Sequence, residues 1–139
     1  MRLARWFGLV GIPLLVGCTT YRDELVRAQS AYDANNHELA LALTRAVDPN
    51  LGLLTAEERV RYAYLRGMSN FRIGFRAEAR HYLALARALE NEHRGALPND
   101  WKSRLDEALG TLNTEVYQSG IASLSLQEAE LSAKKPKKK

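Results

Sequence analysis

Few residues in this chain have the types and spacing that chemistry demands. The single cysteine, Cys18, lies just behind an uncharged, mostly apolar run, Trp6 to Val16 (WFGLVGIPLLV). A lone thiol cannot close an internal disulfide. The three histidines do not make a metal site: His37 and His81 are far apart, and His81 and His93 are twelve residues apart rather than three or four. No HExxH, CxxC, phosphate-binding loop or glycine-rich dinucleotide turn is present. Glu57-Glu58 and Asp106-Glu107 fall at helix starts or on exposed faces, where carboxylates cap free amides and offset the helix dipole. The expectation is a non-enzyme with no catalytic residue, no metal and no cofactor.

The remaining chemical feature is positive charge. Arg59, Arg61, Arg66, Arg72, Arg76 and Arg80 are interleaved with Tyr62, Tyr64, Phe71, Phe75 and Tyr82. Guanidinium groups beside aromatic rings can line a groove for acidic or C-terminal peptide ends. The competing arrangement buries Tyr64, Met68 and Phe71 as core under a later helix. The arginines would then pair in solvent with Glu57, Glu58 and Glu78.

The N-terminal segment reads as an address. Met1 to Arg5 carries two cations, Arg2 and Arg5, and no acid. The apolar run that follows would rise only about 16 Å as a helix, short of the roughly 30 Å of a bilayer core. Pro13 would also disturb a spanning helix. This is the layout of a secretory signal. Leu15-Val16-Gly17-Cys18 resembles the lipobox of bacterial lipoproteins. The resemblance implies that Cys18 is diacylated, that residues 1–17 are removed, and that the new amine is acylated too. The covalent lipid is then the only attached group. Each acyl chain contributes about 0.8 kcal/mol per buried methylene, so three hold a chain stably on a membrane. Thr19 follows the cysteine, where enteric lipoproteins kept at the inner membrane have Asp. The expected location is the cell envelope, lipid-anchored at the outer membrane and facing the periplasm, with residues 18–20 as the tether.

The overall charge of +4 is misleading. Arg2 and Arg5 leave with the signal, and Lys134, Lys135, Lys137, Lys138 and Lys139 form the C-terminal tail. Between Cys18 and Ala133 there remain 13 Lys and Arg against 16 Asp and Glu, a net charge of −3. An acidic body in an exported chain argues against a nucleic-acid partner. A lysine cluster suits anionic lipid head groups or peptidoglycan carboxylates, or simply forms a solvated end.

Helical spacing dominates the 122 residues from Cys18 onward. Tyr21, Leu25, Ala28 and Tyr32 fall on one helical face. Asn35-Asn36 breaks it, and His37 to Val47 forms a second helix. Asp48-Pro49-Asn50 and Gly52 predict a loop. Thr55-Ala-Glu-Glu58 is a capping box. The helix it opens carries Val60, Tyr64, Met68 and Phe71 and ends at Gly74. Arg76 to Glu92 is a fourth helix. Asn99 or Asp100 caps a fifth, with Trp101, Leu105, Ala108 and Leu112 inward, and Gly120 stops it. The Ser-rich segment 119–139 reads as a flexible linker and tail, with at most a helical turn near Leu126 to Leu131. The fold class is all-α.

Two stretches match each other: Ala28 to Ala40 (AQSAYDANNHELA) and Gly67 to Ala79 (GMSNFRIGFRAEA) are offset by 39 residues. Here the chain resembles the tetratricopeptide repeat family, whose period of 34 would leave a five-residue insertion around Pro49 to Leu53. Gly67, Gly74, Ala79, Leu83 and Ala86 carry the resemblance in the second unit, and Ala28, Asn35, Ala40 and Val47 in the first. Arg66, Asn70 and Thr44 depart from it, standing where the family has apolar or aromatic residues. The resemblance implies antiparallel helix pairs over 21–118: two units plus a C-terminal capping helix, a fragment of a right-handed α-solenoid. It also implies that Arg61, Tyr64, Met68 and Arg72 line the concave face with Leu25, Gln29 and Tyr32. A generic four- or five-helix bundle is the rival architecture.

Two functions are open at this point. The chain is an adaptor or assembly factor that binds another envelope protein through its helical domain. Alternatively it is a tether, joining a membrane to the cell wall or another anionic surface through its lysine tail.

Overall fold

The structure is a computed structural model that describes residues 21–134. Among these the fold is all-helical. In chain order it has α1 (Tyr21–Asp33), α2 (His37–Val47), a 3-10 segment (Asp48–Leu53), α3 (Ala56–Ile73), α4 (Arg76–Glu92), α5 (Asn99–Ser119) and α6 (Ala122–Lys134).

The punctuation is local. Asn35 takes a left-handed conformation, φ 58°, to turn α1 into α2. Asn36 then caps α2, its side chain accepting from the Leu39 amide at 3.2 Å. The capping box at Thr55 forms as the sequence implies: the Thr55 hydroxyl accepts from the Glu58 amide, and the Glu58 carboxylate accepts from the Thr55 amide at 2.8 Å. Gly74, at φ 103°, ends α3, and the amides of Gly74 and Phe75 both donate to the Asn70 carbonyl at 2.9 Å. Two details differ from expectation. Pro98, not Asn99 or Asp100, stands at the N-cap of α5. The expected loop at Asp48 is a 3-10 segment, because Pro49 fits its first turn and Leu51 packs back on the core.

Each helix packs on the next in chain order. The first, third and fifth also touch directly, as do the fourth and sixth. Arg76–Glu115, Arg80–Asn113, Arg87–Asp106 and Glu90–Lys102 link α4 to α5 in opposite order along the two helices, which makes them antiparallel. Within the α3–α4 hairpin the backbones approach closely at Gly67, where a Cβ would lie 2.8 Å from the Leu83 side chain and 2.9 Å from its amide nitrogen. One core runs through all six helices, from Leu25, Ala28 and Tyr32 through Val60, Tyr64 and Leu83 to Leu105, Leu112 and Leu124.

The largest correction is α6. The segment expected to be a flexible linker from residue 119 is helical to Lys134 and docked. Leu124 is buried, and the Glu128 carboxylate accepts from the backbone amides of Ala77 at 2.8 Å and Glu78 at 3.3 Å. Leu131 packs over Gly74. Leu124, Glu128 and Leu131 stand at i, i+4 and i+7, one face of a helix. So α5 does not end the fold as a lone capping helix. A sixth helix follows it and docks against both α4 and α5.

Candidate partner-binding surface

The stripe Arg61, Tyr64, Met68 and Arg72 runs along α3, and the structure divides it. Tyr64 and Met68 are fully buried, and so is Tyr32 of α1. Their expected place on an open concave face is corrected. The reason is Trp101 at the start of α5. Its indole stacks on Tyr64 with ring centres 4.4 Å apart and planes 13° apart. Tyr32 meets both rings edge-on, at 6.0 Å and 6.2 Å. Aromatic side chains bury 150–250 Å² each, so closing three rings together favours filling a groove here over leaving it open. Burial, with the neighbouring Tyr32 hydroxyl, pushes the Tyr64 phenol well above its ordinary pKa.

The arginines divide in the same way. Arg66 is buried, hydrogen-bonded to the Asp48 carboxylate and the Tyr62 hydroxyl, with its guanidinium 4.3 Å above the Tyr82 ring. Tyr62 also donates to Asp48. Arg76 reaches Glu115 at 2.8 Å, Arg80 donates to the Asn113 side-chain Oδ1 at 2.9 Å, and Arg59 donates to the Leu54 backbone carbonyl at 3.2 Å. The pairing expected with Glu57, Glu58 and Glu78 is not what forms; Glu58 pairs with Arg22 at 3.1 Å instead. Of the six, Arg61 and Arg72 alone are exposed and held by neither a salt bridge nor a side-chain contact that organises the fold among the described residues.

Each of these two borders a cleft. Arg61 lines one of about 350 Å³ with Gln29, Leu97, Pro98 and Trp101. Arg72 lines one of about 100 Å³ with Phe71, Arg104, Glu107 and Thr111. Eleven residues of helix separate the two arginines by about 16 Å, and they lie within about 20° of one another around the axis. His37 sits near the second cleft, its ring 5.4 Å from Tyr32. Burial first, and then the charge of Arg72, hold its pKa below 6.5.

Two charged groups were not singled out from the sequence, one of them structural. Glu90 is buried at the α4–α5 turn, where its carboxylate accepts from the amides of Gly95 and Leu97 and from Lys102 at 2.8–2.9 Å. Burial alone would raise its pKa, but the Lys102 bond and the two amides outweigh it and hold the carboxyl below its ordinary value. Arg104, in the Arg72 cleft, was also missed. Its signal was its place three residues after Trp101, which turns it toward α3.

Lys134 ends α6 and is exposed. Cys18, Lys135, Lys137, Lys138 and Lys139 lie outside the described residues. Among the described residues no helix is long and apolar enough to cross a membrane, and no group of three or more His, Cys, Asp or Glu is placed to hold a metal ion. No protein-family model matches the chain, and neither curated proteins nor solved structures give a match. What the surface offers chemically is Arg61 on one side of a closed aromatic centre and Arg72 with Arg104, beside Glu107, on the other, cations able to meet anionic groups.

Proposed function

We propose that this chain is a non-catalytic lipoprotein of the bacterial cell envelope, anchored through acylated Cys18 and facing the periplasm from the outer membrane. Its helical domain acts as an adaptor that binds an acidic segment of another envelope protein. In this reading the helix pairs are tetratricopeptide-like units stacked as a short solenoid, the third formed by α5 and α6. Packing in chain order, with α1, α3 and α5 in direct contact, supports that reading. So does the close approach at Gly67, a position the family keeps small.

The observation that carries the adaptor role is the pair Arg61 and Arg72. Four neighbouring arginines are used by the fold, and these two stay exposed on one stripe. An extended peptide advances about 3.3–3.6 Å per residue, so five residues span the distance between them. The preferred ligand is therefore a segment with two carboxylates about five residues apart, one of which can be its C-terminus.

The test is affinity capture from detergent-solubilised envelopes with the mature lipoprotein, a version ending at Ala133, and an Arg61→Glu/Arg72→Glu variant. One discrete protein retained by the first two baits and lost by the third supports the adaptor. Recovery of only wall material or anionic lipid, and only with the lysine tail intact, makes the chain a tether and the helices its scaffold.

A further inference from the structure

The 3-10 segment covers the insertion expected around Pro49 to Leu53, and helix packing does not account for its tip. Leu54 is buried and Leu51 packs on the core, so the segment is fastened from beneath. Leu53 is nevertheless 61% exposed, and Pro49 and Gly52 are exposed beside it. The Tyr21 hydroxyl donates to the Leu53 carbonyl at 3.4 Å. The tip therefore stands beside the first residue of α1. Tyr21 is three positions after Cys18, and a chain spans at most about 3.6 Å per residue, or roughly 10 Å in all.

We infer that this end of the domain rests on the bilayer surface, with Leu53 and Pro49 set among the lipid head groups. The inference rests on the acylation of Cys18 proposed above. The acyl chains do the holding, and the short tether keeps the tip at high effective concentration near the surface. Exposed apolar residues also stand at the opposite end, Tyr117 and Ile121 among them, so the short tether sets which end faces the bilayer and the apolar tip adds contact there. The charged residues exposed around the tip, Arg22, Arg45 and Arg59 against Asp23 and Glu57, are of mixed sign. The opposite end, with the Asn35 and Gly74 turns, points into the periplasm. Arg72, one residue from the end of α3, is carried to that far side.

The experiment uses the full mature lipoprotein in vesicles of phosphatidylethanolamine and phosphatidylglycerol. Leu53→Cys and Ala34→Cys are each labelled with an environment-sensitive fluorophore, since an acylated Cys18 does not react. Ala34 is exposed at the other end of α1. The expected result is blue-shifted emission at position 53, quenched by lipids carrying a shallow nitroxide, and unshifted, unquenched emission at position 34. Equal, unquenched emission at both positions from protein that floats with the vesicles overturns the inference and leaves the anchor intact. Protein that does not float, and whose mass carries no acyl chains, overturns the anchor and this inference together.

Discussion

The middle of α3 and its two ends are made of the same kinds of residue and are used in opposite ways. In the middle, Tyr64 and Met68 lie under Trp101, and Arg66 is held by Asp48, Tyr62 and Tyr82. At the ends, Arg61 and Arg72 stand exposed. The middle positions are closed over by α5, whereas Arg61 and Arg72 border the clefts on either side of that contact. An arginine with a carboxylate and aromatic rings around it stabilises a fold, whereas one in solvent contributes little and stays free to bind.

Trp101→Ala breaks the comparison most directly. It removes the ring that closes the centre, and the expected loss is about 3–5 kcal/mol in urea unfolding. Tyr64 and Tyr32 should then become exposed, turning the middle into what the ends are now. Arg66→Ala comes next. It leaves Asp48 and the Tyr62 hydroxyl without their cation, for an expected cost of about 2–3 kcal/mol. If that variant is as stable as the parent, the division of the arginines into used and free fails.

Glu90→Gln should cost about 1–2 kcal/mol near neutral pH, because it weakens charge-assisted bonds from two amides and Lys102. The pH dependence gives a sharper check. The folded pKa of Glu90 lies below its unfolded value. Its stabilisation is therefore present above the ordinary carboxylate range and is lost as pH falls through the folded value. The difference between parent and variant should shrink in acid.

At the ends, Arg61→Glu and Arg72→Glu should change stability by no more than about 0.5 kcal/mol. The smallest expected effect is a titration. Reversing the charge at Arg72 should move the His37 pKa upward, followed by NMR of its ring protons, while Arg61→Glu should leave it in place. The His37 pKa is depressed in the folded state, so His37 contributes stability above pH 6.5 that is lost as pH falls. Arg72→Glu should soften that loss.

Much of this fold is legible in the residues, for reasons that are local. The capping box at Thr55, the turn at Asn35 and the stop at Gly74 each act within a few positions. The stripe on α3 is equally legible as a stripe. Spacing alone does not say whether Tyr64 looks into an open groove or against Trp101, because that depends on where α5 lands. Thr44, Arg66 and Asn70, which depart from the apolar pattern of the resembled family, are buried polar positions. The departures thus mark where the core is polar, and for Arg66 they mark an ion pair with the half-exposed Asp48 at the edge of the core. The helix α6 was hidden by composition. Its serines suggest a linker, and its three docking residues gain meaning only beside the start of α4.

That docking bears on the order in which the chain becomes whole. The N-cap residue of α4, Phe75, supplies no side-chain acceptor, and the Glu128 carboxylate serves the amides of Ala77 and Glu78 in its place. The central hairpin thus borrows its lid from about fifty positions downstream. A ribosome that releases the chain from its N-terminus delivers α3 and the start of α4 about fifty residues before Glu128. Until Glu128 emerges, the amides at the start of α4 lack this acceptor. Maturation of this domain is sealed from its far end.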